Sequence, residues 1–164
     1  MAVLPILRWP DPRLKQPCAP VTGDVHALID DMLETMYAAP GRGLAAPQVG
    51  VLWRLFVMDT TWKEGASDPQ VFVNPRITDR SDTLATAAEG CLSIPGVLVD
   101  VTRPAEITVT WQDAHGAAHR QVFSGFAAAC VQHEIDHLDG IVTFDRLAPD
   151  ARQEAEAQFA TVPR

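Results

Sequence analysis

The stretch Phe126-Ala127-Ala128-Ala129-Cys130-Val131-Gln132-His133-Glu134-Ile135-Asp136-His137-Leu138 runs without glycine or proline until Gly140. Its alanines and unbranched side chains favour a helix, and Gly140 supplies a stop. Within it lies His133-Glu134-Ile135-Asp136-His137, an H-E-x-x-H pattern. Four residues advance a helix by about 400°, so the two imidazoles project from one face, one turn apart. There both can reach one divalent cation. Glu134, beside them, is placed to take a proton from a water that such a cation has made easier to ionise. Asp136 either supports this site from outside or lies exposed.

Two histidines leave a metal site short of a third protein ligand. No histidine follows His137, which counts against the metzincin pattern. Cys91 is the better candidate, in Glu89-Gly90-Cys91-Leu92-Ser93-Ile94-Pro95. Glycine there allows close backbone approach, proline ends regular structure, and a thiolate suits zinc or ferrous iron. A third segment, Gly41-Arg42-Gly43-Leu44-Ala45-Ala46-Pro47-Gln48-Val49-Gly50, is small-residue rich and leaves room for a substrate backbone. It lacks the lysine and the spacing of a phosphate-binding loop.

Together the three segments resemble the peptide deformylase family, whose members carry G-x-G-L-A-A-x-Q, E-G-C-L-S and Q-H-E-x-D-H-L elements in this order. All three are intact, and the likeness runs from about Leu4 to Leu147. The resemblance implies that Cys91, His133 and His137 hold one divalent ion. Ferrous iron is the family's usual metal, with zinc, nickel or cobalt as substitutes, and the sequence does not choose among them. It further implies that Glu134 serves as general base and then acid, and that the side-chain amide of Gln48 and the backbone N–H of Leu92 stabilise the developing oxyanion. Gly43 would let a peptide lie alongside as an added strand, with Arg42 and Gly90 beside it. The implied reaction is removal of the N-formyl group from formyl-methionyl nascent polypeptides, and the alternative is action on another N-acyl substrate.

Some positions depart from the family's habit. Arg42 stands where an aliphatic residue is frequent, and Leu98 where some bacterial members carry arginine. Ala87 and Ala129 are small at places that the resemblance puts near the methionine pocket, which implies a roomier pocket. Glu89 is expected to orient the metal loop by pairing with Arg103.

At 164 residues the chain has the size of one domain, so residues 1–164 are read as a single catalytic unit with 149–164 as a short C-terminal helix or tail. A net charge of -8 argues against direct nucleic-acid binding. Because that tail is acidic, ribosome contact would be transient rather than through a long basic helix. No stretch is apolar enough to span a membrane, and Met1 to Trp9 lacks the features of a signal peptide. Three cysteines suit a reduced compartment, and the cytoplasm and a monomer are the simplest expectations.

Periodicity supplies the remaining elements. Leu28, Ile29, Met32, Leu33 and Met36 predict a helix from about Asp24, its candidate cap, to Tyr37, with both methionines in the core. Strands are predicted over Leu52–Met58, Val71–Asn74 (closed by Pro75), Val97–Val101 and Ile107–Trp111. The last turns at Asp113-Ala114-His115-Gly116 into His119–Phe123. A final helix is predicted over Pro149–Phe159, and the proline-rich first twenty residues are expected to be an irregular wrap. The class is α+β, with small antiparallel or mixed sheets packed around a central metal-binding helix. Cys18 and Cys130 are expected to be structural, Cys130 as a buried small hydrophobe, while His26, His115 and His119 are expected on the surface.

Overall fold

The computed structural model describes Met1–Arg164 and comprises, in chain order, α1 (His26–Ala38), β1 (Gly43–Ala45), β2 (Leu55–Met58), β3 (Gln70–Arg80), β4 (Leu84–Cys91), β5 (Ile94–Pro104), β6 (Glu106–Gln112), β7 (Ala118–Ser124), α2 (Gly125–Leu138) and α3 (Pro149–Ala160). Five strands form an antiparallel sheet in the order β1-β2-β3-β6-β7, and β4 and β5 form a separate hairpin. Helices and antiparallel sheets thus segregate as the α+β reading requires.

β2 shows why α2 becomes central. All four of its residues are buried, which an antiparallel strand achieves only when both sheet faces are covered. Successive side chains alternate between faces. Phe56 and Met58 join a cluster with Ala128, Val131, Ile135 and Leu138 of α2, whereas Leu55 and Val57 join Ile29, Met32 and Met36 of α1. Each helix contributes a stripe at three- and four-residue spacing. Phe56 and Phe72 are fully buried and stack with ring centroids 4.4 Å apart. Each such side chain contributes about 2–3 kcal/mol of transfer free energy. A third cluster packs Val97, Val99 and Val101 of β5 against Leu14, Phe144 and Ala155 of α3. α2 consequently has apolar neighbours on its sheet side and the β4–β5 hairpin near its polar side, so every residue from Val131 to Leu138 is buried.

The predicted elements are present with several corrections. β2 begins at Leu55 rather than Leu52. Pro75 does not close the strand that precedes it. β3 runs through it to Arg80, with an extra residue accommodated between Val73 and Arg76 and Asn74 at φ 50°. A bulge leaves one residue outside the ladder, so a proline without an N–H is tolerated, and asparagine accepts the left-handed conformation. β4 adds a strand that the sequence pattern does not signal, because five of its residues from Leu84 to Ala88 are exposed and give no alternation. The backbone cap of α1 is Val25, although Asp24 Oδ1 accepts from the His26 N–H at 2.9 Å.

The first twenty residues wrap irregularly apart from a 3-10 turn over Pro12–Lys15. Their N–H groups reach each of the motif segments. Leu7 donates to the Gln48 carbonyl at 2.7 Å, Trp9 to Ser93 at 2.9 Å and Cys18 to Leu138 at 2.8 Å. No helix is long and apolar enough to cross a membrane.

Candidate active site

α2 places His133 and His137 one turn apart, with ring centroids 5.0 Å from each other. Cys91 arrives from the end of β4. The β4–β5 register is broken between Glu89 and Cys91, and that irregularity turns the thiol toward α2, where Sγ lies 3.4 Å from His137 Nε2. One donor atom from each of Cys91, His133 and His137 lies within 4.8 Å of the others.

This donor set fits a divalent transition ion. A thiolate and two imidazoles make three protein ligands and leave a fourth tetrahedral position open, as catalytic sites require. His133 Nδ1 is 3.0 Å from Glu89 Oε1, so the ring donates there and leaves Nε2 as the free lone pair. Burial, then the charges of His133 and Arg103, hold His137 well below the ordinary histidine value, which favours the neutral ligating form. For His133 burial also acts downward, but contacts with Cys91, Glu134 and Glu89 outweigh it and carry the ring well above the ordinary value. A cation and that proton therefore compete for one nitrogen.

Glu89 is itself held. Arg103 donates Nε to Oε2 at 2.7 Å and Nη2 to Oε1 at 2.9 Å, and its Nη1 reaches Asp136 Oδ2 at 2.8 Å. The expected Glu89–Arg103 pairing is present, and Asp136 is buried, not exposed. Neither Ser93 nor Arg146, which contact Gln48 and Asp136, was singled out from the sequence. Ser93 closes the E-G-C-L-S element without a role of its own there, and Arg146 lies in no periodic pattern or recognisable ligand spacing.

Glu134 is 4% exposed, and its Oε1 is buried without a hydrogen-bond partner. Burial pushes its carboxyl up to about 7, with His133 pulling it down and Glu89 pushing it further up. A carboxyl near neutrality suits both accepting and returning a proton. Gln48 lies opposite on the 3-10 turn over Ala46–Val49. Its Oε1 accepts from the Ala45 N–H at 2.9 Å. Since a backbone N–H can only donate, this fixes the amide orientation and turns Nε2 toward Ser93 Oγ at 3.0 Å and Cys91 Sγ at 3.8 Å. Leu92 sits in the turn between β4 and β5, and its N–H donates to no protein acceptor.

A cavity of about 1150 Å³ opens onto these groups. Gly43, Arg42 and Gly90 line it together with Gln48, Cys91, Leu92, His133 and Glu134. Of the expected ligand, catalytic and substrate-binding residues, all except His137 line this one space. Ala87 and Ala129 also line it, as does the exposed Phe126. Arg42 is held at the rim by Glu64 at 2.7 Å, with its guanidinium 5.2 Å from the Phe126 ring centroid. Cys130 departs from its expected place. It touches the core but is only half-buried and lines the cavity. Burial, followed by the Glu134 charge, raises its thiol well above the usual value and keeps it protonated. His26, His115 and His119 are exposed, as expected.

Comparison with known proteins agrees with this geometry. The family model described as polypeptide deformylase matches residues 3–153. A peptide deformylase of Alkalilimnicola ehrlichii is 48% identical over 167 aligned residues, covering 100% of this chain and 93% of the relative. One from Afipia carboxidovorans is 46% identical, covering 97% of this chain and 95% of the relative. Among solved structures, a peptide deformylase from Synechococcus elongatus in complex with actinonin superimposes with a TM-score of 0.92 at 38% identity, covering 99% of this chain and 90% of that one. The Legionella pneumophila enzyme gives a TM-score of 0.90 at 38% identity, covering 99% and 100%. With this match over nearly its whole length, the chain belongs to the polypeptide deformylase family.

Proposed function

We propose that this protein removes the formyl group from the N-terminal formyl-methionine of newly synthesised polypeptides, through the residues gathered around Cys91, His133 and His137. The observation that carries the reading is the convergence of these three donors within 4.8 Å, beside a buried carboxylate oxygen of Glu134 with no partner. A divalent ion held there would act as a Lewis acid, polarising the formyl group and lowering the pKa of water.

The chain's own residues account for the rest. β1 is the edge strand of its sheet and pairs only with β2, so a peptide can add alongside Gly43 through main-chain hydrogen bonds that are indifferent to side chains. The formyl oxygen then points between the Leu92 N–H and Gln48 Nε2, which act as donors to the charge that develops on it. Glu134 takes a proton from the attacking water on Oε1 and returns it to the departing amine. The formyl C–N bond breaks, and formate and a free α-amine result. Glu89, locked by Arg103, keeps His133 in the required tautomer. Arg42 and Gly90 flank the bound peptide.

Among divalent ions we favour ferrous iron, with zinc, nickel or cobalt as functional substitutes, since a mixed thiolate and imidazole set suits all of them. The whole chain is proposed to act as one catalytic domain, supported by Ala155 of α3 packing into the same cluster as β5. We place the enzyme in the cytoplasm as a monomer, meeting nascent chains through at most transient ribosome contact. The alternative substrate, another N-acyl amide, draws on the small Ala87 and Ala129 in the cavity.

The test is formate release from formyl-Met-Ala-Ser by anaerobically purified protein, with Glu134→Ala as control. Release that the substitution abolishes is expected. A metal-loaded, folded protein that liberates no formate would overturn the reading and turn attention to other acyl groups.

A further inference from the structure

Behind the metal ligands runs a chain of charged side chains that ends on a residue outside the cavity. Glu89 Oε1 receives both His133 Nδ1 at 3.0 Å and Arg103 Nη2 at 2.9 Å. Arg103 Nη1 passes to Asp136 Oδ2 at 2.8 Å. Arg146 then clamps both oxygens of Asp136, Nε to Oδ2 at 3.0 Å and Nη2 to Oδ1 at 2.6 Å. The side chains of Glu89, Arg103 and Asp136 are 8%, 7% and 10% exposed, whereas that of Arg146 is 43% exposed.

Charge and geometry give Arg146 a task. Glu89, Arg103 and Asp136 alone would leave two buried carboxylates sharing one guanidinium. Arg146 supplies the second positive charge and makes the group neutral. Its planar fork also sets the rotation of Asp136, because both carboxylate oxygens are engaged. Asp136 in turn holds the one Arg103 nitrogen not spent on Glu89. Without Arg146, Arg103 is shared between two anions with one negative charge left uncompensated, and the Glu89 contact that orients His133 loosens.

We infer that Arg146 is a positioning residue for His133, acting through Asp136, Arg103 and Glu89 to set how firmly the bound cation is held. This rests on the metal-site reading above. A bland alternative is that Arg146 merely ties down the turn after α2. Arg152 separates the two, since it pairs with Asp145 of the same turn at 2.8 Å and touches none of the relay.

The experiment uses cobalt-loaded protein and follows its visible absorption, which reports ligand geometry, and the rate at which excess chelator removes cobalt. Arg146→Ala should lose cobalt about tenfold faster, the lower end of what outer partners of metal ligands contribute, with altered cobalt bands. Arg146→Lys, which keeps the charge without the fork, should fall between, and Arg152→Ala should match the parent. Melting of the metal-free variants serves as the measure of structural loss alone. Parent-like rates and spectra in both Arg146 variants, or equal effects of Arg146→Ala and Arg152→Ala, overturn the inference. A parent protein that takes up no cobalt fails differently and brings down the metal-site reading itself.

Discussion

Gly43 and Glu134 face each other so closely that a Cβ on Gly43 would lie 2.5 Å from Glu134 Oε2, 3.0 Å from its Cδ and 3.1 Å from Cys130 Sγ. The edge strand thus presses on the proposed general base, and only a hydrogen fits between them. Gly43→Ala should push the carboxylate aside while leaving the two core clusters on α1 and α2 intact. We expect a loss of about a hundredfold or more in kcat, the usual result of displacing a catalytic group by about an ångström. Steady-state deformylation and a melting curve check it, and unchanged kcat would mean that Glu134 has room to spare.

Gln48 has two separable duties, because its Oε1 holds the Ala45 N–H and its Nε2 faces Cys91 and Ser93. Gln48→Glu keeps the acceptor and removes the donor. It should fold normally and lose about 10²–10³ in kcat, as removal of one oxyanion donor commonly does. Gln48→Ala should also lose stability, since the buried Ala45 N–H goes unpaired at a cost of about 1–3 kcal/mol. Equal kcat in parent and Gln48→Glu would exclude the side-chain amide from the oxyanion site.

Asp59 predicts a pH-dependent stability away from the active site. It is 1% exposed and accepts from the Tyr37 hydroxyl at 2.6 Å, from the Asp68 and Thr61 N–H groups at 3.0 and 3.2 Å, and from Ser67 Oγ at 3.2 Å. Burial alone would raise its pKa, but these donors outweigh it and hold the carboxyl below the ordinary aspartate range. A group whose folded pKa is depressed stabilises the fold above its unfolded pKa, and that stability is lost as pH falls through the folded value. Urea denaturation should therefore show stability declining below about pH 4, where unfolded aspartate begins to protonate. Asp59→Asn should cost about 2 kcal/mol at pH 7 by leaving donors unpaired and should flatten the acid limb.

The walls above the Glu89–His133 contact recede to methyl groups. Ala87 lies two residues before Glu89 on one face of β4, and Ala129 one turn before His133 on α2, and both line the cavity. Formyl-Phe peptides should accordingly turn over within about tenfold of formyl-Met peptides, a margin comparable to what one methylene decides in an apolar pocket. Ala129→Ile should restore selectivity for methionine. A strong formyl-Met preference in the parent protein would rule out the roomier pocket.

The parts of this protein legible in its sequence are those set by local spacing. The two histidines had to share a helical face because four residues make about one turn, and α1 showed itself through one apolar stripe. β5 could be found because Val97, Val99 and Val101 alternate inward. Its partner β4 could not, since its exposed alanines carry no record of a buried face. The passage of β3 through Pro75 depended on a bulge that only pairing with β6 creates. The resemblance to a family supplied which distant residues would meet, but their orientation was settled in three dimensions. Gln48 faces Cys91 because the Ala45 N–H fixes its amide, and Arg146 is linked to Glu89 only through Asp136 and Arg103. Periodicity reports which face of an element is buried. It does not report which other element buries it, and that relation, decided by packing and hydrogen-bond satisfaction across the chain, turns a motif into a site.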